Sequence, residues 1–355
     1  MANVLTEGWD HSGTPTDFNL KGWTFGNTAP FGSLGFFVMV GGRLSGRAIR
    51  LEPGNPLTGQ GNSRISASKL LPSTYGTAIC GFAYNYGSLV TDCRIFSFYT
   101  AASAHIGSVW ISASTGRLYI TNAAGTNIAN GTTALVANTW NYIEFKCVVG
   151  ASGSGELHLN GVSGEIASTT SNFGTTNIGQ IQIGMDGIPN SSGFRGIFDD
   201  MYIVDTSGSA RNNFLGDNRV ETLYATADGA NLAWVPDSGS AHFSRVNENS
   251  PDGDTSYVSD ATPGDRDTYV FADLATLGGT VNGVQVNLFA RKDDAAARQI
   301  APVVRISGSN FDGTTSPALT TSYQYYSQLY DQAPSAVDWT IPMVNAAEFG
   351  VKEVA

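Results

Sequence analysis

Apolar residues recur at every second position in short runs bounded by Gly, Asn, Ser or Thr. The runs return every ~8–12 residues, the rhythm of a β-sandwich or barrel. Strands are expected at Thr77–Ala83, Arg94–Thr100, Gly107–Ser112, Arg117–Thr121 and Trp140–Val148, then at Glu156–Asn160, Gln180–Gly184 and Gly196–Val204. In NYIEFKCVV, the residues Ile143, Phe145, Cys147 and Val149 share one face and are all apolar, so that face is expected in a core. Tyr142, Glu144, Lys146 and Val148 take the other face. Asn160-Gly161 is the dipeptide of a tight hairpin, because both residues tolerate positive φ.

Near residues 205–217 the piece TSGSARNNFLGD turns small, polar and glycine-containing, which marks a boundary. The expectation is an all-β chain of two β-sandwich domains, residues 1–205 and 206–355. In the second, VNGVQVNLFARKDDAAARQIAPVVRIS reads as a long hairpin with its tip at Asp293–Ala296 and room for a brief helix at DDAAAR. The last strands are expected in SYQYYSQLY and FGVKEV.

Composition supports this class. There are 42 glycines and only 14% charged residues, a poor mixture for helices, while 41% hydrophobic residues exclude a disordered chain. The net charge of −11 is uneven: residues 1–205 carry 10 Lys/Arg against 12 Asp/Glu, and residues 206–355 carry 9 against 18. No basic stripe offers a grip on phosphate backbones, so nucleic acid is not an expected partner. MANVLTEGWD lacks the charged and apolar regions of a secretory signal, and LGFFVMVGG is too short to span a membrane. Cys80, Cys93 and Cys147 read as small buried hydrophobes; a Cys80–Cys93 bridge is the alternative, and no metal-ligand spacing is present.

NTWNYIEFKCVV, GELHLNGV, IGQIQIGMD and FRGIFDDMYIVD follow one another between Trp140 and Asp205. That order resembles concanavalin A-like/laminin G-like domains, and GRAIRLEPG resembles an early strand of the same domains. The resemblance implies a jelly-roll sandwich over residues 1–205, with Trp140 bridging its sheets. It also implies a calcium site around Asp186, Asp199 and Asp200, of which the two adjacent aspartates should face opposite ways. The plainer reading is an aspartate capping a loop through backbone amides. The second half resembles C-terminal portions of tailed-bacteriophage structural proteins, through FLGDNRVETLYATADG, HFSRVNENSPDGDTSYVSD, VQVNLFARKDDAAAR and WTIPMVNAAEFGV.

Enzymatic signatures are weak. No Glu-x-Asp-x-Glu strand offers the paired carboxylates of a glycosidase, and no Gly-x-Ser-x-Gly elbow is present. His11, His105, His158 and His242 lie in unrelated local contexts. The acidic stretch with Asp252, Asp254, Asp260, Asp265 and Asp267 does not fit a calcium loop and reads as solvated turns. Tyr84, Tyr86 and Tyr99 are candidate sugar contacts, and Trp110 is either core or platform. Tyr323, Tyr325, Tyr326 and Tyr330 are candidates for a subunit interface. The resulting expectation is a non-enzymatic phage virion protein, a head decoration, fibre or tail component, assembled in the host cytoplasm and released by lysis. Its expected partners are other virion proteins and further copies of itself. The alternative is a glycan-binding adhesin, and a minor alternative a polysaccharide hydrolase.

Overall fold

The computed structural model describes all residues except 1–2, 11–14, 29–35, 45, 53–62, 90, 189–194 and 277. The chain divides into two compact units, Met1–Asp10 with Thr14–Val220, and Glu221–Ala355 with His11–Gly13. Both are β-sandwiches.

The first unit holds β1 (Asn3–Glu7), β2 (Trp23–Thr28), β3 (Phe36–Gly41), β4 (Arg47–Glu52) and β5 (Ser63–Tyr75). There follow β6 (Thr77–Tyr86), β7 (Cys93–Tyr99), β8 (His105–Ile111), β9 (Arg117–Thr121) and β10 (Asn127–Ala134). Its last strands are β11 (Asn141–Val148), β12 (Gly153–Leu159), β13 (Val162–Ser171), β14 (Ile178–Ile188) and β15 (Gly196–Val204). One sheet runs β13-β12-β11-β6-β15-β4-β3, with β1 also on β15, and the other runs β10-β9-β8-β7-β14-β5-β2. All pairings are antiparallel, giving a jelly-roll sandwich of eight and seven strands.

The alternating pattern explains the core. Ile143, Phe145 and Cys147 are fully buried on the inner face of β11, as their parity requires. Phe145 stacks on Phe98 of the opposite sheet at 5.6 Å, and Phe82 on Phe96 at 5.5 Å, so aromatic pairs tie the layers together. The β12–β13 turn uses Asn160 and Gly161 at φ of 52° and 74°, the positive values expected of that dipeptide. Cys80, Cys93 and Cys147 are buried and unbridged. Burial pushes the Cys80 thiol well up.

Tyr142 and Glu144 on the opposite face of β11 are also buried, which the sequence does not announce. Residues 206–220 lie over the eight-stranded sheet, where Phe214 and Leu215 pack against Ile79, Tyr142, Tyr202 and Val204. Phe214 also stacks on His158 at 3.6 Å. The segment therefore belongs to the first sandwich, and the division falls after Val220 instead of after residue 205. Trp140 joins this outer cluster and does not bridge the sheets.

The second unit contains β16 (Ala225–Leu232), β17 (Val235–Pro236), β18 (Val258–Ser259), β19 (Arg266–Phe271) and β20 (Val284–Ala290). It continues with β21 (Ile300–Ile306), β22 (Ser309–Asp312), β23 (Gln324–Tyr330) and β24 (Glu348–Glu353). A five-stranded sheet, β16-β19-β24-β21-β22, faces the β20–β23 pair across a core of Val286, Val304, Trp339, Val344 and Phe349. The long hairpin expected of residues 281–307 does not form: β20 pairs with β23, while β21 pairs with β22 and β24. Separating β20 from β21 lets each offer an apolar face to one core. Asp294–Ala296 forms bends, and no helix occurs at residues 293–298.

Candidate functional site on the seven-stranded sheet

Strands β5, β14, β7, β8 and β9 each bury one face in the sandwich and turn the other outward. Phe96 and Phe98 point in, and Ser97 and Tyr99 take the opposite parity. A register shift between Arg94 and Phe96 inserts Ile95 as an extra residue, which resets the parity and puts Arg94 on the same face as Ser97.

The outward side chains align in cross-strand rows. Arg94, Trp110 and Tyr119 are direct register partners on β7, β8 and β9. The Arg94 guanidinium lies 5.8 Å from the Trp110 ring centroid, and Trp110 stacks on Tyr119 at 5.8 Å and 14°. Tyr119 donates to Asp92 (3.2 Å), whose other oxygen accepts from the Ala113 amide (2.9 Å). Burial, with Asp92 beside it, pushes the Tyr119 phenol up.

Next to this aromatic row runs a polar one, Ser68–Gln182–Ser97–Ser108–Thr121. Gln182 donates to Ser68 (3.0 Å) and accepts from Tyr99 (3.3 Å), and Ser97 meets Ser108 at 2.8 Å. His105 closes the row: Nε2 is 2.5 Å from the Ser108 hydroxyl and Nδ1 is 3.1 Å from the Ala123 carbonyl. Burial lowers the His105 pKa, and Arg94 reinforces that, against the raising effect of the Ala123 hydrogen bond. Beside Arg94 the face dips slightly between Ser66, Ser97, Gln182 and Gly184, and the dip encloses no cavity.

The sequence-based candidates scatter. Tyr99 belongs to this face. Tyr84 and Tyr86 do not: Tyr84 lies in the core against Phe198, and Tyr86 is buried with its hydroxyl donating to the Leu135 carbonyl (2.9 Å). Neither reaches a sugar, because their positions on β6 face the inter-sheet space. Trp110, left open between core and platform, is half-buried on the outer face.

Asp199 and Asp200 do not point opposite ways. A bulge in β15 places Asp200 at φ of 50°, and both carboxylates are buried. Asp199 accepts from the amides of Arg43 (2.7 Å) and Asp200 (2.8 Å), and Asp200 from that of Val220 (2.8 Å). The remaining Asp200 oxygen lies 3.7 Å from the Arg43 guanidinium. Calcium needs several unengaged oxygens, and here amide donors and a cation occupy that role, so the pair does not fit a calcium site. It anchors two loops instead. The Asp186 side chain lies outside the described residues. Among the described residues no group of three His, Cys, Asp or Glu side chains is placed to hold a metal.

The tyrosines of β23 divide by parity. Tyr326 and Tyr330 turn toward the apolar clusters of the second sandwich. Tyr323 and Tyr325 flank Phe289 on the other face, at 4.9 and 4.8 Å, and Tyr323 donates to Asp254 (2.8 Å).

Residue-level reading of the sequence missed Arg94, Ser97, Ser108, Tyr119 and Gln182 as one group. The available signal was polar residues at the outward positions of RIFSFY and GQIQIG, where a solvated sheet face usually carries charged or Thr side chains.

No protein-family profile matches the chain, and no curated protein matches it. Solved structures similar to it include an endo-β-1,4-glucuronan lyase from the fungus Trichoderma reesei, with 11% identity, 51% of this chain and 94% of that one covered, and a TM-score of 0.40. An alginate lyase from Corynebacterium sp. shows 16% identity, coverage of 56% and 98%, and a TM-score of 0.38. A botulinum neurotoxin type C structure, titled for cell entry that depends on two ganglioside molecules, shows 11% identity, coverage of 94% and 98%, and a TM-score of 0.33. Scores this low leave the function to be argued from the residues.

Proposed function

We propose that the first sandwich recognises carbohydrate through the outer face of its seven-stranded sheet. The observation that carries this reading is the half-buried Arg94–Trp110–Tyr119 row on the same outer face as the half-buried Gln182 and Ser68. Sugars present apolar C–H patches and many hydroxyls, so a site for them needs aromatic surface adjoining convergent polar groups. Individual sites of this kind bind weakly, and several copies on one assembly supply avidity. The test is a glycan array probed with the full chain and with Trp110→Ala. Binding by the wild type that falls at least tenfold in the variant supports the reading; no bound glycan, or equal binding by both, overturns it.

We further propose that the protein is displayed on a bacteriophage particle as a structural component, with the sugar-binding face as its outward function. The sequence resemblance of the second half to phage structural proteins supports this, as does the Tyr323–Phe289–Tyr325 group on the β20–β23 pair, a surface rich in the aromatics typical of interfaces. Co-purification with particles and a symmetric oligomer in mass photometry are the expected results. A stable monomer absent from particles would contradict it.

A further inference from the structure

The Arg94–Trp110–Tyr119 row continues onto a fourth strand, because Asn130 on β10 is the register partner of Tyr119. Strand β8 lies between β7 and β9, so Arg94 and Tyr119 meet Trp110 from opposite sides. Both faces of the indole are therefore taken, and the aromatic part of the row turns ring edges outward. Ring edges are the electropositive part of an aromatic quadrupole. The reachable hydrogen-bonding groups have the same character. Asn130 is exposed, and its Oδ1 accepts from Asn127 Nδ2 (2.9 Å), which leaves its own amide N–H groups to donate. Asp92 accepts from the Tyr119 hydroxyl and the Ala113 amide, so its oxygens are engaged. The hydroxyls of the neighbouring row, Ser97, Ser108 and Thr121, are buried and face no ligand. What the row offers is rich in donors and poor in acceptors.

We infer that this row selects acidic sugars, taking a carboxylate or sulfate of the glycan at Arg94 and the adjoining units along the ring edges to Asn130. This rests on the recognition reading above and names the ligand class of the same face. A guanidinium meets an oxyanion through two parallel N–H bonds, each stronger than a bond to a neutral hydroxyl. Asp186 on β14 is the other register neighbour of Arg94, and five N–H groups let the guanidinium serve two acceptors at once. Four strands spaced ~4.8 Å apart give the row a length of ~14 Å, so its two ends touch different units of an oligosaccharide. The glycan lies across the surface and needs no cavity. The chain carries a net charge of −11, so its overall field repels a polyanion, and binding that depends on acid groups reports the local site.

The experiment adds to the glycan array a uronic acid oligomer and a sulfated oligosaccharide, each beside its carboxyl-reduced or desulfated counterpart. The full chain should bind at least one anionic form roughly tenfold or more tighter than its neutral counterpart. Arg94→Gln should erase that difference while keeping the near-ultraviolet circular dichroism of the folded protein. Asn130→Ala should weaken the anionic form by about fivefold and keep the preference for it. The carboxylated and sulfated arms identify which oxyanion Arg94 takes. Neutral forms bound as tightly as anionic ones, or a preference for the anion that survives Arg94→Gln, would overturn the proposal. Should Arg94→Gln fail to fold, the wild-type comparison of charged and neutral forms decides. Binding to neutral glycans alone sinks the acidic class and leaves recognition standing, whereas binding to no glycan at all removes both.

Discussion

The two sheets of the first sandwich alternate in the same way, yet their outer faces meet opposite fates. On the eight-stranded sheet the outward residues Tyr142, Glu144 and Tyr202 are buried under residues 206–220. There Glu144 accepts from the Tyr202 hydroxyl and from the Gly216 amide (2.8 Å), and Tyr202 accepts from the Leu215 amide (3.1 Å). On the seven-stranded sheet the corresponding positions carry serines, glutamines and an Arg–Trp–Tyr row that is only half-buried. The first face is a second packing layer; the second keeps Arg94, Trp110 and Tyr119 partly exposed.

The sharpest way to break this comparison is to truncate both faces. Tyr202→Ala removes a fully buried ring and leaves Glu144 with the Gly216 amide but without the hydroxyl donor, so a loss of about 3–5 kcal/mol is expected in a urea titration. Glu144→Ala strands the Tyr202 hydroxyl and the Gly216 amide and should cost about 1–3 kcal/mol by the same measurement. Trp110→Ala, on the uncovered face, should cost less than about 1.5 kcal/mol while lowering glycan binding at least tenfold, since the ring is only half-buried. Equal stability losses at Tyr202 and Trp110 would show that both faces are structural.

A pH series tests the anchor of the covering segment. Burial raises the Asp199 carboxyl to about 8 and the Asp200 carboxyl to about 6, with the neighbouring carboxylate adding to the Asp199 shift. Glu353 in the second sandwich is raised to about 7, again chiefly by burial. An acid whose folded pKa exceeds its unfolded value holds its proton longer in the folded state, so stability declines as pH climbs from the unfolded value toward the folded one. The urea midpoint should therefore fall between pH 5 and pH 8. Asp199→Asn, which keeps the shape without the charge, should flatten that fall; a midpoint rising over this range would contradict the assignment.

Much of the sandwich was legible because alternation reports parity directly. β9 and β15 match their expected bounds, and Ile143, Phe145 and Cys147 face the core. Parity alone does not show whether a second layer covers the outer face, so the burial of Tyr142 and Glu144 and the attachment of residues 206–220 were not visible. It fails also at bulges. One extra residue at Ile95 brought Arg94 beside Ser97, and another in β15 turned Asp199 and Asp200 into a pair. Pairing between distant segments is equally silent, which is why β20 was joined to β21 when its partner is β23. The tyrosines of β6 illustrate a further limit: strand residues near a loop look accessible until the opposing sheet is placed over them.

The most direct measurement of the division between the faces is amide hydrogen exchange, read by mass spectrometry with and without an array-positive glycan. Recognition by the open face requires added protection in β7, β8, β9 and β14, with β11 and β15 unchanged. Protection confined to the covered sheet, or no change in either, would contradict it.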